Sequence, residues 1–183
     1  MKIISGKYKG RILKGFDIDG TRPTMDRVKE SVFAMIQDYV KDAVVLDLYS
    51  GSGNLAIESL SNGATKAYLV DNNKKAINVI KDNIKMLNLD NTIIVNNNAT
   101  KALSDFINDG TTFDIIFLDP PYHTNELDMS LSMINDNVGV LSNNGIIVCE
   151  TELDINYLKY NNLIIYKTRN YGKKRVNILK RKK

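Results

Sequence analysis

The sequence predicts an α/β domain on a mostly parallel, doubly wound sheet of seven strands, with a small basic hairpin ahead of it and an antiparallel hairpin strand at its end. Short apolar runs alternate with helical repeats along most of the chain, which is the signature of successive βα units. The runs are nearly continuous in apolar residues, as strands buried on both faces are. The last two runs, residues 163–166 and 176–179, are joined through residues 170–174 with no room for a helix. They must pair as a hairpin and add one antiparallel strand.

Each element follows in order. Residues 3–14 read as a short basic strand pair. Thr24 is placed to cap a helix in which Val28, Val32, Met35, Ile36 and Tyr39 recur at helical spacing. Residues 44–48 form the first buried strand, a glycine-bearing turn leads into a helix at 54–62, and residues 67–71 form the second strand. From Asn73 to Leu87 the apolar positions Ala76, Ile77, Ile80, Ile84 and Leu87 share one face, and turn residues follow. A third strand at 92–95, a helix at 99–107, a fourth strand at 113–118, a helix at 126–134 and a fifth strand at 146–149, opened by an Asn144-Gly145 turn, complete the alternation.

The 183 residues fit a single domain, 1–183, with a basic extension at 1–23 and a core at 24–183. Hydrophobic residues make up 43% and charged residues 25%, which excludes a disordered or fibrous chain. No apolar stretch reaches the length of a membrane span. The N-terminus lacks an apolar signal core and the single cysteine, Cys149, lies in a buried run, so a cytoplasmic protein with a core thiol is expected.

The net charge of +4 hides an asymmetry. Residues 167–183 carry nine basic side chains and residues 1–16 carry five, with no acid in either segment. Removing those 14 from the total of 25 leaves 11 basic against 21 acidic residues between. Basic ends around an acidic body suit a polyanion partner, although terminal lysine runs such as 180–183 are also common as solvated tails. Lys7, Lys9, Arg11, Arg22, Lys173, Lys174 and Arg175 are the candidate phosphate contacts. Lys29 reads as ordinary helix-surface charge.

Two motifs carry chemistry. After the first strand comes Asp47, then Ser50, Gly51 and Gly53, with Ala56 in the following helix and Asp71 closing the second strand. The glycines admit a ligand to the backbone, and Asp71 stands at the right distance to hold ribose hydroxyls. The same spacing fits a dinucleotide, but an acid at Asp47 would repel a pyrophosphate and suits an ammonium. An adenosyl-amino-acid cofactor carries that ammonium. Asp47 lies several residues too early to be the cap of the next helix.

The second motif is Asp119, Pro120, Pro121 and Tyr122, directly after the fourth strand. By itself it reads either as a tight turn or as a platform for a planar, amino-bearing base. In the second case the Asp119 carboxylate and Pro120 carbonyl accept the amino hydrogens and Tyr122 stacks on the ring. His123, the only histidine, is expected to serve as a phosphate or stacking contact rather than a general base.

These motifs resemble the class I S-adenosylmethionine-dependent methyltransferases, with their Rossmann-like sheet. Residues 4–11 and 22–33, including Gly6, Lys7, Gly10, Arg11, Arg22, Pro23, Asp26, Arg27 and Phe33, are similar to the bacterial RsmD family of 16S rRNA guanine-N2 methyltransferases. The resemblance implies S-adenosylmethionine as cofactor, held by Asp47, Ser50, Gly51, Gly53, Asp71 and Asn72, with Asn98 and Ala99 at the adenine. It implies catalysis by Asp119, Pro120 and Tyr122 without a metal, and a monomer acting on 16S rRNA or the small ribosomal subunit. One departure is Asn98, where the family usually has an acid; its amide oxygen can still accept a hydrogen bond. A DNA adenine-N6 or cytosine-N4 methyltransferase, a nicotinamide oxidoreductase and a non-catalytic RNA-binding module in ribosome assembly are the competing readings.

Overall fold

A computed structural model describes residues 1–15, 22–121, 124–152 and 156–182, the side chains of residues 22–25 excepted. The chain runs α1 (Arg22–Val40), β1 (Val44–Asp47), α2 (Asn54–Ser61), β2 (Lys66–Asp71), α3 (Lys74–Leu87), β3 (Thr92–Asn96), α4 (Ala99–Asn108), β4 (Phe113–Leu118), α5 (Glu126–Asp136), β5 (Leu141–Thr151), β6 (Leu163–Tyr171) and β7 (Lys174–Arg181). All seven strands form one sheet in the order β3-β2-β1-β4-β5-β7-β6. β1 to β5 are mutually parallel, and β7 enters between β5 and β6, antiparallel to both.

Alternation along the central strands sorts the core into two layers. Val45, Ile115, Phe117, Ile146 and Val148 pack with α1, α2 and α3. Leu46, Ile116, Leu118, Ile147 and Cys149 pack with α4 and α5 on the other face. Phe113, Ile115, Ile116, Phe117 and Leu118 are all but inaccessible. Burying side chains of this size stabilises by about 1.5–3 kcal/mol each, so β4 is held firmly behind the segment that follows it. Phe33 of α1 lies against Phe117 with ring centroids 6.1 Å apart. Because α1 leads directly into the start of β1, its first turns stand at the carboxyl ends of the strands.

Several elements differ from the sequence reading. α1 begins at Arg22, two residues before the expected Thr24 cap; Pro23 is tolerated because the first helical turn needs no donor from it. The N-terminal strand pair reduces to one bridge, Lys2 with Ile12, yet the loop between is well tied. Ile3 N–H donates to Arg11 O at 2.9 Å and Gly10 N–H to Ile3 O at 2.8 Å, while Ile3 and Leu13 pack with Ile57 and Leu87.

β5 starts five residues earlier than the apolar run, and the expected Asn144-Gly145 turn lies inside it as a register irregularity between Phe113 and Ile115 of β4. A Cβ on Gly145 would stand 2.8 Å from Leu141 Cδ1, so glycine is required by the folding of the strand back on its own side chains. β6 and β7 pair from Leu163 with Arg181 to Tyr171 with Lys174, leaving only Gly172 and Lys173 in the turn. Gly172 has φ of +60°, which glycine adopts without steric cost.

Candidate active site

Two loops meet at the carboxyl ends of β1 and β4, where ligands of parallel sheets bind. After β1, Gly53 (φ +81°) begins α2 without a capping side chain. A Cβ there would come within 2.9 Å of Leu69 Cδ2. Gly51 (φ +55°) faces open space instead, leaving room for a ligand against the backbone. Asp71 shapes the turn: its Oδ2 accepts from Gly51 N–H at 2.9 Å and its Oδ1 from Asn73 N–H at 2.8 Å. Ser50 is buried and donates to Asp47 O at 2.7 Å. Asn72 is exposed at the rim.

Asp47 is 2% exposed, and its Oδ2 accepts from Ala56 N–H in the first turn of α2. It therefore caps that helix from nine residues away, a role its position in sequence had seemed to exclude; the turn folds back so that β1's last side chain reaches the helix start. Burial first, and then the nearby Asp71, push its carboxyl up to about 7. A buried acid that resists ionisation in this way is complementary to an arriving cation. This observation fits an amino-acid ammonium and disfavours a pyrophosphate.

Asn98 caps α4, its Oδ1 accepting from Thr100 N–H at 3.0 Å and Thr100 Oγ1 at 2.7 Å. The oxygen expected to meet adenine is thus already engaged by the helix. Ala99 follows as a nearly buried residue at the start of α4.

Asp119 opens to solvent while Pro120 behind it is buried. Protein on the remaining sides and the neighbouring Glu150 raise the Asp119 carboxyl, and Lys174 opposes the rise. Pro121 O accepts from Thr124 Oγ1 at 2.9 Å, which fixes the far side of the loop. Tyr49 braces this side too, its hydroxyl within 2.8 Å of Ser130 Oγ and 3.2 Å from Glu126 O. Tyr122 and His123 lie outside the described residues, as does the side chain of Arg22.

The structure corrects the reading of Lys29. It is buried, and its ammonium pairs with the inaccessible Glu58 at 2.8 Å, donating also to Lys2 O at 2.6 Å and Asn54 Oδ1 at 2.8 Å. Glu58 accepts from Ile4 and Ser5 N–H. Asn83, also buried, donates to Lys14 O and Ser52 O, both at 3.0 Å. These groups tie the N-terminal arm to the glycine turn. Lys7, Lys9 and Arg11 remain exposed on that arm. Lys174 instead forms an ion pair with Glu150, whereas Lys173 is exposed in the hairpin turn.

The sheet order, the acid-and-glycine turn after β1 and the Asp119-Pro120 step after β4 define the Rossmann-like fold of the S-adenosylmethionine-dependent methyltransferases. The chain belongs to the family described as Conserved hypothetical protein 95, the RsmD family, which matches residues 1–180. It is 39% identical to YlbH of Bacillus subtilis (strain 168) over 184 residues, all of both chains. It is 34% identical over 154 residues to "Ribosomal RNA small subunit methyltransferase D" of Escherichia coli (strain K12), covering 84% of this chain and 76% of that one. The solved structure of yhhF from Escherichia coli superposes with a TM-score of 0.87 at 30% identity, over 99% of this chain and 97% of that chain.

Proposed function

We propose that the protein transfers a methyl group from S-adenosylmethionine to the N2 amino group of a guanine in the 16S rRNA of the small ribosomal subunit. The observation that carries this reading is the Asp119-Pro120 step at the end of β4, beside the Asp47–Gly53 turn. It is supported by the rRNA methyltransferase named among the relatives.

The cofactor, when bound, supplies an electrophilic methyl group on a sulfonium. Asp47 and the glycine turn would take its amino-acid end, Asp71 and Asn72 the ribose, and Ala99 with Asn98 the adenine side. The Asp119 carboxylate and the Pro120 carbonyl accept the two amino hydrogens of the base, and Tyr122 stacks on its ring. As the new N–C bond forms, the nitrogen sheds a proton to Asp119, and the carboxyl's raised affinity for protons suits it to that task. Holding the amino group in line accounts for most of the acceleration, since good positioning supplies roughly 7–11 kcal/mol. Guanine N2 lies in a helical minor groove, so the target base must be unpaired or extruded. Lys7, Lys9, Arg11, Arg22, Lys173 and Arg175 would contact phosphates around it. Every group named comes from one chain, so a monomer suffices.

Tritiated methyl transfer to small subunits from a strain lacking the enzyme tests the reading. N2-methylguanosine is the expected product nucleoside; incorporation into DNA, or none into RNA, overturns it.

A further inference from the structure

The register of β4, β5 and β7 assembles a second set of polar groups beside Asp119. Leu118 pairs with Cys149 across the parallel β4–β5 ladder, and both turn toward α4 and α5. One residue further on, Asp119 and Glu150 turn to the opposite face. Glu150 pairs with Val176 in the antiparallel β5–β7 ladder, which sets Lys174 diagonally across on that same face. There the Lys174 ammonium meets the Glu150 carboxylate. Their side chains are 26% and 17% exposed, respectively, partly desolvated yet reachable. Along the strand ends the order is therefore acceptor at Asp119, acceptor at Glu150, donor at Lys174.

That order has a chemical complement. The edge of guanine presents the N2 amino donor, the N1–H donor and the O6 acceptor, in that sequence. Adenine and 2-aminopurine present an acceptor at N1. Neighbouring strands stand about 4.8 Å apart, comparable to the span of that edge. A carboxylate can accept about four hydrogen bonds and an ammonium can donate three, so their mutual pairing leaves capacity for a base. Building on the guanine-N2 reading, we propose that Glu150 accepts the N1–H of the target base and Lys174 donates to its O6, making the pair the specificity-determining element for guanine. The simpler role for the pair is to anchor the β6–β7 hairpin to β5.

The test first maps the modified nucleotide, then reconstitutes small subunits carrying guanosine or 2-aminopurine ribonucleoside at that nucleotide. Both bases keep the N2 amino group. Wild-type protein is expected to favour guanosine in kcat/KM by roughly 10- to 100-fold. Glu150→Gln, whose amide can donate to an N1 acceptor, is expected to bring that ratio within a few-fold by slowing guanosine selectively, with S-adenosylmethionine binding by calorimetry unchanged. Lys174→Met is expected to narrow the ratio as well, because 2-aminopurine has no O6, and it decides the matter if the glutamine variant does not fold. A ratio unchanged in both variants, or both substrates slowed alike, overturns the proposal and leaves the pair as an anchor. A wild-type product other than N2-methylguanosine instead overturns the underlying guanine-N2 reading.

Discussion

At the residue scale, two carboxyls on one face of the sheet have been given opposite tasks by their surroundings. Asp119 sits where a base amino group can reach it. Asp119→Ala is expected to lower kcat by about 10²- to 10⁴-fold while S-adenosylmethionine affinity by calorimetry stays within a few-fold; near-normal turnover would remove Asp119 from the chemistry. Asp47 is sealed beneath the glycine turn, and its carboxyl holds a proton up to about pH 7. The folded chain thus binds that proton more tightly than an unfolded aspartate does. Its contribution to stability is most favourable below the model value of 3.8 and declines as pH rises to about 7. A bound ammonium favours the ionised acid, so cofactor affinity is expected to climb with pH, by up to about tenfold per unit, and level off above neutrality. Calorimetry across that range checks it, and Asp47→Asn should flatten the curve. Asp119 was legible from sequence because its chemistry is local to four residues. Glu150 and Lys174 were not, since they are 24 positions apart and meet only through the ladder of β5 and β7.

At the scale of elements, the central strands declared themselves as apolar runs because both of their faces are covered. The outer parts did not. In β6, the residues from Ile164 to Asn170 are exposed, so no burial pattern marks how far the strand extends. The early part of β5 is interrupted by exposed Asn143 and Asn144. The docking of the N-terminal arm was likewise invisible, because a lysine on a helix is normally solvated and only α2 supplies its acid. Breaking one partner of such a buried pair costs about 3–5 kcal/mol, whereas replacing both by apolar residues of like volume is often neutral. Glu58→Gln and Lys29→Met are each expected to lower the urea midpoint, and the pair Lys29→Met with Glu58→Leu to recover part of the loss. Limited proteolysis should cut residues 1–15 faster in the single variants. Equal midpoints for all three would show that the arm is held by something else.

For the whole molecule, the charge segregation seen along the chain survives folding in part: the arm presents Lys7, Lys9 and Arg11 to solvent, while Lys29 and Lys174 are spent on acids within the protein. Binding of RNA is expected to weaken steeply with salt. Changing Lys7, Lys9 and Arg11 to alanine should reduce the slope of log affinity against log salt by about 0.7–0.9 for each phosphate contact removed, as read by filter binding. A slope the variants do not change would place the footprint elsewhere.

The position of β7 governs the order in which the molecule can assemble. β6 leaves the ribosome first, but the only strand it pairs with is β7, so a nascent chain complete as far as Tyr171 carries a β6 strand with no neighbour to receive it. Residues 174–181 must arrive and dock on β5 before that edge can close, and the same event delivers Lys174 to Glu150. Maturation of the sheet and completion of the proposed base-reading pair are therefore a single late step, and a growing chain passes from inert to competent without an intermediate that reads the base.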